Sequence, residues 1–249
     1  MSNPVLAPER YPPLPDALLK RARVISNRVA ALSLWPQPAV IAEVGVGLGD
    51  FSQQILGVCR PRQFIAIDSF TLHRLDSLWG KSIRDHFGEK THEEFYRHRF
   101  ASEIATGTVA VMNGNSSDMI SALPDQSVDV FYVDADHSYE GVHRDLEALR
   151  PKVKPDGWIV MNDYTPAEIG LSNEPYGVIQ ATNEFMLTHG WEMAYFALAY
   201  VMYCDVGLRR AGAIRQSTSW RITAPLRSVG RLLKRAGSSS SNALSRPPQ

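Results

Sequence analysis

The strongest constraint on this chain is a series of short, nearly continuous apolar runs separated by stretches with helical periodicity. The runs are residues 39–44 (AVIAEV), 63–68 (QFIAID), 108–112 (TVAVM), 128–134 (VDVFYVD) and 158–161 (WIVM). Helical patterns fill several of the gaps, at 51–58, 139–150 and 176–188. A strand buried on both faces reads as a continuous apolar run, and alternation of such runs with helices indicates a mostly parallel sheet covered on both sides. Residues 191–198 and 200–206 leave no room for a helix between them and read as a closing antiparallel hairpin. Seven strands are therefore expected.

The flanks differ from this core. A proline-rich start leads into a predicted helix over 17–34, capped by Asp16, with Leu18, Leu19, Ala22, Ile25 and Val29 on one face and Trp35-Pro36-Gln37-Pro38 ending it. That apolar face suggests a homo-oligomer. Of the 26 basic residues, nine lie from Gly207 onward with no acid among them, so the preceding body carries 17 bases against 26 acids. The expected organisation is an N-terminal segment over 1–37, a catalytic domain over 38–208 with an insertion at 69–106, and a basic, largely disordered tail over 209–249. A short basic helix is conceivable at 226–236. The insertion, rich in His, Arg, Trp and Phe, is expected to hold helices and cover a site, with Trp79, His86, Phe87 and Tyr96 as either lid core or substrate contacts. The N-terminus lacks the apolar segment of a signal peptide, and no run approaches the roughly 20 apolar residues that span a bilayer, so a cytoplasmic location is expected. Cys59 and Cys204 sit in apolar stretches and read as buried free thiols.

Four motifs carry chemistry. Glu43-Val44-Gly45-Val46-Gly47-Leu48-Gly49-Asp50 follows a strand and precedes a helix, the context of a nucleotide-binding loop. Its G-x-G-x-G spacing differs from the dinucleotide G-x-G-x-x-G. Asp68 ends the next strand, where an acid accepts hydrogen bonds from ribose hydroxyls. Asp134-Ala135-Asp136-His137-Ser138-Tyr139-Glu140-Gly141 leaves the fourth strand, and Asn162-Asp163 ends the fifth. Asp134, Asn162 and Asp163 offer an all-oxygen set suited to Mg²⁺ or a similar divalent cation. The structural alternative is that Asp134 or Asp136 caps the following helix and Asp163 makes a turn with Tyr164. His137 is placed to take a proton from a substrate hydroxyl; its alternative is a histidine bonding a backbone group.

Together these residues resemble the class I methyltransferases, with their Rossmann-like α/β fold. More narrowly, VDADHSYEGVHRDLEALRPKVKPDGWIVMNDY (133–164) is similar to the family that includes macrolide sugar O-methyltransferases of the macrocin type. The resemblance spans about 38–206. It implies S-adenosylmethionine as cofactor, with Glu43, Gly45, Gly47 and Asp68 lining its pocket and Asn115 and Ser116 near the adenine. It also implies a metal on Asp134 and Asp163, and His137 as base. Asn162 stands where relatives often have a second acid, which weakens a metal site. The implied reaction is methyl transfer to a hydroxyl of a sugar, or of a phenol or other small natural product. Two other readings compete. A NAD-dependent oxidoreductase is disfavoured by the glycine spacing and by the lack of a well-placed Tyr-x-x-x-Lys pair. A non-catalytic cofactor-binding module would use the basic tail to dock on a polyanion. Nucleic-acid methylation is disfavoured by the acidic body, and a small-molecule acceptor is expected.

Overall fold

The computed structural model describes residues 11–167, 174–198 and 204–212, all within one unit, Met1–Gln216. The chain opens with α1 (Asp16–Leu19), β1 (Arg23–Ile25) and α2 (Arg28–Ala31), followed by a 3-10 turn, Leu32–Leu34. Then come β2 (Val40–Val44), α3 (Asp50–Cys59) and β3 (Gln63–Asp68). The insertion holds a two-stranded hairpin, β4 (Ser77–Leu78) and β5 (Lys81–Ser82), and three helices, α4 (Ile83–Phe87), α5 (His92–Arg99) and α6 (Ala101–Ala105). The rest is β6 (Val109–Asn113), α7 (Ser116–Ser121), β7 (Val128–Val133), α8 (Tyr139–Leu149), β8 (Val153–Met161), α9 (Val178–His189), β9 (Trp191–Leu198) and β10 (Cys204–Arg210).

The main sheet runs β1-β9-β10-β8-β7-β2-β3-β6. β2 pairs in parallel with both β3 and β7, β3 with β6, and β7 with β8. β10 is antiparallel to both β8 and β9. Successive strand residues point to opposite faces, so each strand feeds two apolar layers. Val40, Ala42, Val44, Phe131, Val133 and Ile159 meet Val142, Leu146 and Leu149 of α8 and Phe185 and Met186 of α9. Ile41, Phe64, Ala66, Val130, Tyr132 and Val160 meet Phe51 and Ile55 of α3, Tyr96 of α5, Leu32 and Trp35. This is the mostly parallel, Rossmann-like sheet with a C-terminal antiparallel pair that the apolar runs predict. Cys59 and Cys204 are both buried and free. Among the described residues no helix is long and apolar enough to cross a membrane.

Three expectations need correction. The single helix predicted over 17–34 does not form. The β-branched pair Val24-Ile25 extends instead, and β1 pairs in parallel with β9, from Arg23↔Tyr195 to Ile25↔Ala197. This covers backbone groups that the edge of β9 would otherwise expose. Asn27 then starts α2, its side chain accepting from the Ala30 N–H at 2.8 Å. The sheet accordingly has eight strands rather than seven. Leu18, Leu19 and Ala22 of this segment pack on the sheet's own core, while Val24 and Val29 remain exposed. Finally, β10 is Cys204–Arg210, later than the expected 200–206. Its two terminal arginines extend the strand by laying their guanidinium groups over aromatic rings, Arg209 on Trp158 at 4.9 Å and Arg210 on Trp191 at 5.0 Å. Residues 199–203, the tail from 213 onward and the basic helix conceived at 226–236 lie outside the described residues.

Candidate functional site

The strand order reverses between β2 and β7, since β3 and β6 lie on one side of β2 and β7 and β8 on the other. Ligands of open α/β sheets bind outside the carboxyl ends of strands at such a point. The loops after β2 and β7 are locked together there. The Gly45 N–H donates to the Ile67 carbonyl at 2.8 Å, and the Asp134 N–H to the Val44 carbonyl at 2.7 Å. Gly45 has φ +86°, and a Cβ added there would lie 2.0 Å from the Asp134 carbonyl oxygen. Only glycine fits, both for its dihedral and for the closeness of the backbones.

A cavity of about 960 Å³ opens at this point. Every residue expected to hold the cofactor, the metal or the acceptor proton lines it: Glu43, Gly45, Gly47, Asp68, Asn115, Ser116, Asp134, His137, Asn162 and Asp163. The Asp68 carboxylate organises the glycine loop. One oxygen accepts from the N–H groups of Val46 (2.8 Å) and Gly47 (3.3 Å), and the other from Phe70 N–H (2.7 Å). His92 of α5 supports the same loop, donating from Nε2 to the Gly47 carbonyl at 2.6 Å. Asn115 caps α7, and the Ser116 hydroxyl donates to buried Asp145 at 2.7 Å. Glu43 is 1% exposed. It sits beneath α3 and accepts a short hydrogen bond from Ser52, whose own oxygen accepts from the Tyr96 hydroxyl at 3.1 Å. Burial raises the Glu43 carboxyl to about 8, against the lowering effects of the Ser52 bond and the Arg28 charge.

His137 lies at the cavity's other end. Its Nε2 is 3.5 Å from Asp134 Oδ1 and 3.8 Å from Asp163 Oδ2. Its ring stacks on Tyr176, with centroids 4.5 Å apart and planes at 17°. Asp163 has φ +48°, a left-handed conformation that turns its side chain out of the strand line. Its carbonyl accepts from Thr165 N–H, so the turn foreseen as the structural alternative is present alongside the contact with His137. Asp134 caps no helix. That role falls to Ser138, which accepts from Gly141 N–H, while Asp136 accepts from Ser138 N–H. Burial, and then the neighbouring Asp163, raise the Asp134 carboxyl well above the usual carboxylate range.

The two carboxylates proposed for a divalent cation, Asp134 and Asp163, both approach the His137 ring, and Asn162 donates from its amide Nδ2 to Asp205 at 3.0 Å, a bond that does not use its Oδ1. Among the described residues no group of three His, Cys, Asp or Glu side chains could hold a metal ion.

The insertion separates into core and wall. Phe87 and Tyr96 are buried, and they pack with Phe95 and with Phe70 and Phe100, respectively. Leu78 and Trp79, at the hairpin tip, line the cavity, and His86 pins the tip by bonding the Leu78 carbonyl at 3.0 Å. Trp79 is 60% exposed. It has φ +48° next to Gly80 at +75°, the two-residue pattern of a type I′ turn. A bulky residue in that first position costs about 1–2 kcal/mol, and such strain concentrates at functional sites.

Sequence reasoning missed Arg28, Asp205, Tyr176 and His92. Arg28 comes from the supposed helix, and its guanidinium lies 4.5 Å over the Phe51 ring and donates to the Tyr132 hydroxyl at 3.2 Å. Tyr132 donates in turn to Asp205 at 3.0 Å. Burial pushes the Asp205 carboxyl up to about 6, with Arg28, Tyr132 and Asn162 opposing. A lone acid in the apolar run of β10 was the one available signal for Asp205.

Residues 42–164 match a family model described as a methyltransferase domain. No curated protein sequence matches the chain. Among solved structures it is similar to the B. subtilis M1A22 tRNA methyltransferase TrmK, with a TM-score of 0.51, 11% identity and coverage of 76% of this chain and 67% of that one. It is similar also to the pyocyanin biosynthetic protein PhzM (TM-score 0.48, 14% identity, 73% of this chain), of which it spans about half, 53%. A third is a SAM-dependent methyltransferase from Aquifex aeolicus (TM-score 0.47, 14% identity, 83% and 93%). At 11% identity the likeness to TrmK speaks for the fold alone. The domain match runs from β2 to just past β8.

Proposed function

We propose that this chain is an S-adenosylmethionine-dependent O-methyltransferase acting on a hydroxyl of a small molecule, a sugar or other natural product, with His137 as the general base. The observation that carries the reading is the seating of His137 Nε2 within 4 Å of two carboxylates at the switch-point cavity, beside the glycine loop. In this reading Gly45 and Gly47 let the backbone approach the cofactor, and Asp68 takes the ribose. Asn115 and Ser116 border the adenine, and Glu43 and Asp134 face the amino-acid end. Bound adenosylmethionine supplies a methyl group already activated by its sulfonium centre, so the protein has chiefly to align the acceptor oxygen and remove its proton. His137 would take the proton of the acceptor O–H as that oxygen receives the methyl group, with the adenosylhomocysteine thioether as the leaving group. Asp134 and Asp163 orient the ring and stabilise the imidazolium that results. The bond from Asn162 to Asp205 uses Nδ2 and not Oδ1, so Asp134, Asn162 and Asp163 would hold a divalent cation here, which would lower the pKa of the acceptor hydroxyl. The exposed Trp79 at the cavity wall suits a sugar or aromatic acceptor face.

The test has two stages. Calorimetric titration of S-adenosylhomocysteine into the full chain should give micromolar binding, weakened in Asp68→Asn. A panel of sugar and phenol acceptors incubated with S-adenosylmethionine should then yield a methylated oxygen by mass spectrometry, abolished in His137→Gln. Absence of any homocysteine-analogue binding would sink the reading, and methyl transfer to nitrogen or carbon alone would sink the O-methyl assignment.

A further inference from the structure

The cavity lining is rich in carboxyl side chains, with Asp50, Asp68, Asp136 and Asp163 beside the buried Glu43, Asp134 and Asp205, whereas Arg28 is the only lysine or arginine among its described lining residues. An acidic cavity suits the ammonium and sulfonium charges of adenosylmethionine and disfavours its carboxylate. Two observations make Arg28 a built feature rather than a stray surface arginine. Its helix is started by the Asn27 cap, and its guanidinium is held in place over Phe51 and bonded to Tyr132. Its charge also acts on the carboxyls of Glu43, Asp134 and Asp205 around the cavity, so it is the cation placed at this end of the site. A guanidinium has five N–H donors in a planar fork that matches a carboxylate, and one of them is engaged in the bond to Tyr132.

The order of strand ends sets a direction. Across the sheet the cavity is bordered by Asn115 and Ser116 after β6, Asp68 at the end of β3, Gly45 after β2, and Asp134 after β7. With the adenine and ribose at the β6 and β3 end, as proposed above, the amino-acid end points toward β7, where Arg28 approaches through Tyr132. We infer that Arg28 receives the cofactor's carboxylate, so that the N-terminal segment before the methyltransferase domain completes the cofactor site. The inference rests on the reading that this cavity binds S-adenosylmethionine.

The test compares two ligands that differ in the carboxylate alone, S-adenosylhomocysteine and its decarboxylated analogue, the adenosyl thiopropylamine. Both are titrated calorimetrically into wild type, Arg28→Met and Arg28→Lys. Wild type should prefer the carboxylate ligand by roughly 10- to 100-fold, the range for a hydrogen-bonded charge pair. Arg28→Met should lose that preference by weakening the first ligand and sparing the second, and Arg28→Lys should restore part of it. Equal affinities for both ligands in wild type, an undiminished preference in Arg28→Met, or equal loss of both ligands in both variants would each overturn the inference. Failure of wild type to bind either ligand would instead bring down the cofactor reading, and the inference with it.

Discussion

Glu43 offers a quantitative test of the site's electrostatics. It is almost fully buried, and burial is the main cause that raises its carboxyl from 4.5 to about 8. An unfolded chain ionises it near the ordinary value. Between pH 4.5 and 8 the folded protein therefore holds up to one more proton here than the unfolded chain, and stability falls as pH rises, by at most ~1.4 kcal/mol per pH unit. Glutamine has nearly the same shape and no charge at any pH. The stability of Glu43→Gln relative to wild type should thus grow with pH, by about 2 kcal/mol from pH 6 to pH 8, or about 4–8 °C in Tm for a domain of this size. A fixed cost from the altered bond with Ser52 would offset the two curves without tilting them. The measurement is thermal unfolding of cofactor-free wild type and variant at pH 6, 7 and 8. Parallel curves, with the same difference at all three values, would refute the reasoning and mean that Glu43 is ionised in the fold throughout.

Other perturbations have equally definite outcomes. Gly45→Ala puts a Cβ into the Asp134 carbonyl, so S-adenosylhomocysteine binding should be lost together with at least ~2 kcal/mol of stability, read by calorimetry and thermal melting. His137→Gln should lower turnover by about 10²- to 10⁴-fold and leave S-adenosylhomocysteine affinity within a few-fold, as measured by steady-state kinetics beside titration. Trp79→Ala should raise the acceptor KM and leave both Tm and cofactor affinity unchanged, because the side chain is exposed on the cavity wall. Turnover should fall in EDTA and recover with added Mg²⁺; turnover unchanged by either would remove the cation from Asp134, Asn162 and Asp163.

What the sequence made legible was what depends on neighbours along the chain. β3 and β9 start and stop where their apolar runs do, because strands buried on both faces leave few other solutions. The glycine loop and the Asp134–Gly141 motif announced the cavity because both sit where strands leave the sheet. The start of the chain was misread because Leu18, Ala22, Ile25 and Val29 mimic a helical stripe, and their real partner, β9, lies about 170 positions away. Arg28 was invisible for the same reason, since its role depends on Phe51 and Tyr132 and on no local pattern. The bond from Asn162 to Asp205 was invisible because spacing cannot disclose that β10 brings Asp205 behind it. Orientation of a short polar side chain is decided by its partner across the sheet.

The parallel pairing of β1 with β9 has a consequence for assembly. Residues 23–25 meet residues 195–197, so the first strand made waits for the ninth before it can dock. Contacts this distant in sequence close late in folding, because the loop entropy is spent before they return anything. On the ribosome, the glycine loop, Asp68 and Asp134 will already have emerged while the N-terminal strand still has no edge to join. Arg28 follows β1 by only a few residues, so it reaches the cavity last, and affinity for the cofactor should switch on with completion of the sheet rather than build up as the chain grows.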